Sequence, residues 1–203
     1  MSTAPSPVRR RGRGARERIL KAATELFIAQ GVNATGMEQL CTVANVSKRT
    51  LYSHFAGKDE LVHAYLSGLE DDLLPVGAAS AEAGHHPREQ LLAVFDRRPE
   101  VSGRPLRGCP FLGAAVEIPD PEHPAHRLAA AYKSEFARRL ADLARQAGAR
   151  APEELGEQLA LLYDGAAARS TALNSTEPAA YARAIAVTLI DAAIATAGDD
   201  ARS

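Results

Sequence analysis

The sequence predicts an all-α protein with a small helix-turn-helix head and a longer helical body. Three observations predict this. Ala and Leu supply much of the 46% hydrophobic content while aromatics are only 5%, a balance that suits helix formers. Apolar residues recur at three- and four-residue spacing in segment after segment, and no segment carries a convincing strand pattern or internal repeat. Finally, residues 37–55, "MEQLCTVANVSKRTLYSHF", stop a short apolar helix at Asn45 and restart at Ser47 beside two adjacent cations.

The elements follow in order. Residues 1–14, "MSTAPSPVRRRGRG", mix Pro, Ser, Gly and Arg without periodicity and are expected to form a flexible basic arm. A first helix is expected from Ala15, with Ile19, Ala23, Leu26, Phe27 and Gln30 at helical spacing and Gly31 as a left-handed stop. Thr35 opens the second helix, "TGME" reading as a capping box of Thr35 with Glu38. Met37, Leu40, Cys41 and Ala44 give that helix one apolar face. Asn45 tolerates a left-handed turn, and Ser47 caps a third helix ending near Phe55. Gly57 precedes a fourth, with Asp59 and Glu60 in its first turn. Further helices are expected in "PREQLLAVFDRR", at about 122–147 and 152–174, and from about 178 to 197. A Pro/Gly-rich loop at roughly 99–108, "CPFLGAAVE" and the turn "IPDPEHP" lie between them. The expected domains are 1–14 as arm, 15–57 as head and 58–203 as body.

Charge separates the two parts. Residues 1–60 hold 10 Lys/Arg against 5 Asp/Glu, the remainder 14 against 20. A basic first third points towards a polyanion, although arginines of the arm supply most of the excess. The two cysteines, Cys41 and Cys109, are too few for a disulfide framework and suit a reducing compartment. The Arg- and Pro-rich start lacks the apolar run of a secretory signal. The stretch 184–197 is too short and too interrupted to span a bilayer, so a cytoplasmic location is expected.

At 100° per residue, turning Leu51 and Phe55 inward puts Arg49 and Ser53 on the opposite face, flanked by Thr50 and Tyr52. Ser47 falls near the core direction. An exposed cation, hydroxyls and a phenol suit a DNA groove. Arginine pairs bidentately with guanine edges, while hydroxyls and tyrosine bond phosphate oxygens. The preceding helix and three-residue turn have the spacing in which a second helix enters the major groove. The competing reading is an ordinary core helix with a solvated face.

Residues 15–66, through "RILKAATELFIAQGVNATGMEQLCTVANVSKRTLYSHFAGKDELVHAYL" with its "TLYSHF" and "KDEL" landmarks, closely resemble the homeodomain-like head of TetR-family transcriptional regulators. The segment "GCPFLGAAVEIPDPEHPA" resembles one common in a subgroup of that family. Asn45 stands where the family usually has Gly. Arg49 stands where a small residue is frequent, and is expected to read a base that relatives do not. Carried over residue by residue, the resemblance implies DNA contacts from Thr35, Gly36, Ser47, Lys48, Arg49, Thr50, Tyr52, His54 and Lys58, to which helical geometry adds Ser53.

For the body, the resemblance implies a homodimer formed by the last two helices. Leu155, Leu159, Leu162, Ala166 and Ser170 make one candidate interface stripe, and Ile185, Leu189 and Ile194 another. Both stripes could equally face the monomer's own core. Two heads spaced about one DNA turn, ~34 Å, would read a palindrome. The resemblance also implies a small-molecule effector bound inside the body. Candidate lining residues are Phe95, Phe111, Leu112, Tyr132, Phe136 and Tyr163, each of which could instead be ordinary core.

Other chemistry finds little support. Cys109 before Pro110 sits at an expected helix start, where a thiolate is stabilised, yet a plain thiol is the favoured reading. His85, His86, His123 and His126 match no zinc spacing and are expected as solvated loop residues. No phosphate loop, nucleophile elbow or HExxH occurs. The sequence therefore favours a non-enzymatic repressor without cofactor or metal, binding palindromic double-stranded DNA. The alternatives are an activator of the same fold, a nucleoid-type binder, and a helical enzyme with an incidental basic head.

Overall fold

The computed structural model describes residues 13–69, 86–96 and 106–195. Most of the basic arm, His85 and most of the expected 99–108 loop lie outside these residues. The described residues are helical and contain no strand. They divide into two compact units, one ending at Tyr65 and the other starting at Leu66.

The first unit begins with α1 (Arg13–Gln30), which stops at Gly31 with φ 93°. α2 spans Met37–Ala44, α3 spans Lys48–Tyr52, and α4 spans Lys58–Ser67. Ile19, Leu40, Leu51 and Leu61 are fully buried, and both α1 and α2 pack on α3. Asn45 adopts the left-handed conformation at φ 50°, closing α2 as its spacing suggested. Arg18 Nε donates to the Ala44 carbonyl at 3.2 Å, satisfying an acceptor at the end of α2. The edge-to-face contact of Phe27 with Tyr65, centroids 5.2 Å apart, holds α4 to this unit up to Tyr65. Its compact core therefore extends past Gly57, because α4 supplies apolar side chains that α1 needs.

The expected capping box does not form. Gly36, not Thr35, is the N-cap of α2, with no side-chain capping bond. Thr35 is 0% exposed; its hydroxyl donates to the Gly31 carbonyl at 2.8 Å and accepts from Gln30 Nε2 at 3.2 Å. The physical reason is competition. The Gly31 turn leaves a carbonyl that the buried Thr35 hydroxyl satisfies, and leaving it unsatisfied would be costly. Glu38, freed from capping, pairs with Lys48 instead.

The second unit packs α5 (Pro87–Asp96), α6 (Pro110–Glu117), α7 (Pro124–Gln146), α8 (Pro152–Leu173) and α9 (Glu177–Ala195). α7 and α8 form its central pair, α9 lies on α8, and α5 spans α7 and α9. The core draws Leu91 and Phe95 from α5, Phe136 and Leu140 from α7, Leu155 and Leu159 from α8, and Ala186 and Ile190 from α9. Arg88 grips Asp191 with two bonds of 2.7 and 3.0 Å, and Arg183 pairs with Asp96, tying both ends of α5 to α9. Prolines at first positions start α6, α7 and α8, where a missing N–H costs nothing. His86 and His123 are not idle loop residues. Their Nδ1 atoms accept from Arg88 N and Ala125 N and so cap α5 and α7, while His126 Nδ1 bonds the Ile118 carbonyl at 2.8 Å.

Gly156 sets the closeness of α7 and α8. A Cβ there would sit 2.8 Å from the Ala137 carbonyl oxygen and from the Ala141 Cβ and nitrogen. Gly156→Ala should therefore lower stability by about 1–3 kcal/mol despite its gain in helix propensity. Gly113→Ala, at a helical position with nothing within 4 Å, should raise it by up to ~1 kcal/mol. Thermal unfolding of both variants separates packing from propensity, and equal shifts would contradict the close approach. Thr35→Val should cost about 1–3 kcal/mol by orphaning the Gly31 carbonyl, read as a lowered urea midpoint.

Candidate nucleic-acid interface and body cavity

α3 is short and held at both ends. Ser47, in extended conformation, accepts from Thr50 N–H at 3.1 Å, and its hydroxyl lies 2.8 Å from that of Thr50. Ser47 is exposed rather than turned towards the core. The helix ends at Tyr52, three residues before the expected Phe55. The Ser53 hydroxyl donates to the Thr50 carbonyl at 2.7 Å, and the N–H groups of His54 and Phe55 both reach the Leu51 carbonyl, which closes the last turn. Leu51 and Phe55 are buried beneath it, and Arg16 lies over the Phe55 ring at 5.2 Å.

The opposite face is open. Lys48, Arg49, Tyr52 and Ser53 are exposed, with Tyr52 at 51%. Arg49 has no ion-pair partner among the described residues. Lys48 differs: it pairs with Glu38, which brings the first turns of α2 and α3 together. That hydrogen bond and charge attraction lower the Glu38 carboxyl and raise the Lys48 ammonium from their ordinary values. Both side chains are well exposed, so salt screens the pair. Gly36 is exposed, with nothing within 4 Å of where a Cβ would stand. Thr50, His54 and Lys58 are half-buried, Lys58 donating to the Asn33 carbonyl at 3.4 Å. Thr35 is the one sequence-proposed contact whose side chain is wholly withdrawn from the surface.

In the body, a cavity of about 270 Å³ opens between the segment Leu106–Pro110, α7 and α8. Tyr132, Phe136 and Tyr163 line it as the sequence proposed. Phe111 and Phe95 stand behind that lining. Phe111 stacks on Tyr132 with centroids 3.7 Å apart and planes 4° from parallel, and Phe95 meets Tyr163 edge-on at 6.1 Å. Leu112 points away and is exposed; three residues before it, Cys109 lines the cavity as the N-cap of α6. Gly108 approaches α8 so closely that a Cβ would lie 3.0 Å from Thr171 Oγ1, and Leu106 N donates to Asn174 Oδ1 at 2.9 Å. Sequence reasoning missed Lys133, Ser170, Thr171 and this segment as lining. The spacing of Tyr163, Ala166, Ala167 and Ser170 at i, i+3, i+4 and i+7 was the available signal. Among the described residues no cluster of three or more His, Cys, Asp or Glu could hold a metal, and no helix is long and apolar enough to cross a membrane.

Burial withdraws Leu155, Leu159 and Ser170 from the proposed interface stripes, while Leu162 and Ala166 line a groove on α8 and α9. Leu155 and Leu159 are core residues of the monomer, and Leu162, Ala166, Leu189 and Ile194 pack half-buried against that core. Ser170 is buried at the cavity. Ile185, at 49%, is the most exposed of the proposed set. It joins Leu161 (72% exposed), Leu173 and Tyr181 (70%) around the same apolar groove on α8 and α9. Leu161 lies about 120° around the helix from the Leu155 stripe, so a buried stripe and an exposed one share α8.

Residues 19–65 match the model for bacterial regulatory proteins of the tetR family. The chain is similar to the crystal structure of a putative tetr-transcriptional regulator, sav143, from Streptomyces avermitilis. Identity is 36%, with 88% of this chain and 97% of that one covered and a TM-score of 0.78. It is similar also to SCO4454, a TetR-family transcriptional regulator from Streptomyces coelicolor, at 31% identity over 90% and 97% of the two chains and a TM-score of 0.80. Over 81 residues it is 42% identical to the HTH-type transcriptional activator FasR of Mycolicibacterium smegmatis, covering 40% of this chain and 37% of that protein. Against several such curated regulators the chain spans only 37–42% of their length. With a matched helix-turn-helix head and a fold shared along nearly the whole of two solved relatives, this chain belongs to the TetR family.

Proposed function

We propose that the protein is a homodimeric, sequence-specific DNA-binding transcriptional regulator, a repressor released when a small effector fills the body cavity. One observation carries this reading. A five-residue helix, capped by Ser47 and seated on Leu51, presents Arg49 and Tyr52 outward with no role in the protein's own core. Residues 15–57 would form the DNA-binding head, 1–14 a basic arm, and 58–203 the body for effector binding and dimerisation. Arg49 would read a base edge; Ser47, Lys48, Thr50, Tyr52 and the backbone at Gly36 would hold phosphates, with Ser53, His54 and Lys58 at the rim. Such a protein acts where the DNA is, in the cytoplasm. The relatives are named as regulators, which supports a non-enzymatic role. A named activator among them supports a second reading, activation, since the sign depends on where the operator lies.

The groove around Leu161, Leu173, Tyr181 and Ile185 would be the dimer contact. An exposed apolar face of this kind marks an interaction surface, and a two-fold axis would set two heads on a palindromic operator.

Gel-shift titration on DNA flanking the coding region, at two salt concentrations, tests DNA binding; absence of a retarded complex at low salt would refute it. Arg49→Ala should cost about 1–3 kcal/mol of discrimination between operator and random DNA, and unchanged discrimination would remove Arg49 from base reading. Tyr52→Phe should weaken binding to both DNAs alike. In sedimentation equilibrium, Leu161→Glu combined with Tyr181→Glu should yield a folded monomer. Leu155→Ala should instead lower stability by about 2–5 kcal/mol. A double variant that stays dimeric would place the interface elsewhere.

A further inference from the structure

The chemistry of the cavity wall narrows what it can hold. Two charged side chains line it, Arg107 and Lys133, and no carboxylate does. Asp164, the counter-ion of Lys133, is not among the lining residues. The surplus positive charge is that of Arg107, which is exposed; Lys133, mostly buried beside Asp164, is the cation at the largely apolar interior, where a single anionic group is favoured over a neutral one. The Lys133–Asp164 pair is about three-quarters buried, so its field is poorly screened. Ser170 is 95% buried and lines the cavity, so its hydroxyl is within reach of whatever fills it. A serine hydroxyl in that wall offers a ligand both a donor and an acceptor.

Lys133 reaches the cavity from α7 and Ser170 from α8. Tyr163, Ala166, Ala167 and Ser170 run along α8, and six residues from Asp164 to Ser170 span about 9 Å. Between them the wall is aromatic and methyl-sized, with the Tyr132 ring backed flat by Phe111. The volume is at the small end for ligand sites, whose range starts near ~300 Å³.

We propose that the effector is a small aromatic monocarboxylate carrying a second polar group at its far end. Its carboxylate engages Lys133 in competition with Asp164, its flat body crosses Ala166 and Ala167, and its far polar group bonds Ser170. This rests on the reading of the cavity as the effector site.

The test is calorimetric titration of the full chain with 6-hydroxy-2-naphthoate, its carboxamide, and 2-naphthoate. The acid should bind about 10-fold or more tighter than the amide, the margin of a charge-assisted hydrogen bond. Lys133→Gln should erase that difference. Asp164→Asn should tighten the acid but not the amide, an opposite direction that keeps the test decisive should Lys133→Gln fail to fold. Ser170→Ala should weaken the hydroxylated acid towards 2-naphthoate. An amide that binds wild type as well as the acid does, with both blocked by Ala167→Phe, would overturn the carboxylate assignment and leave the effector site standing. No binding of any of the three at millimolar concentration would overturn both.

Discussion

The head depends on the anchoring of a helix too short to exist alone. Five residues form barely more than one turn, and helix nucleation in water is unfavourable at that length. α3 persists because Leu51 and Phe55 are buried against α1 and α2 and because Ser47 supplies a partner at its start. Asn45 takes the left-handed turn that aims the chain, with the Arg18 bond to Ala44 fixing the end of α2. An outward face made this way is aimed by the core beneath it. Arg49 and Tyr52 need contribute nothing to folding, which leaves their chemistry available to a partner.

α8 works under a different constraint, because it serves three surfaces at once. Leu155 and Leu159 face the core, Tyr163, Ala167 and Ser170 face the cavity, and Leu161 with Gly165 faces out. Small residues make this possible. Gly156 admits α7 to near backbone contact, while alanines at 166 and 167 leave the volume that larger side chains would fill. The same helix is thus tightly packed in one turn and open in the next.

These constraints explain what the sequence disclosed. Gly31, Asn45, Ser47 and the proline starts of α6 and α8 are legible because each signal is local, whereas α7 starts at Pro124 rather than near 122 because His123 caps it. Thr35 was misread for a long-range reason, since its hydroxyl had two possible backbone employers and burial under the Gly31 turn decided between them. The end of α3 was misplaced because Ser53 bonds backward to Thr50, a competition that spacing alone does not reveal. In the body, periodicity found the apolar stripe of α8 but not its destination, since core and interface stripes look alike along one helix. The cavity was only half legible. Tyr132, Phe136 and Tyr163 could be named as aromatics, but empty space is set by the distance between elements, and Lys133 acquires its meaning only beside Asp164.

Two lysines illustrate how burial changes the use of the same residue type. Lys48 and Lys133 each start from an internal carboxylate, Glu38 and Asp164. The first pair is exposed to solvent, where counter-ions already compete for it and a phosphate can replace Glu38 at little cost. The second is mostly buried, so an incoming anion must match both charge and shape before Asp164 yields. The first arrangement suits reversible contact with a polyanion of any sequence, the second discrimination among small molecules. Arg49, the cation on α3 with no internal ion-pair partner to give up among the described residues, is therefore the one we propose for reading base edges.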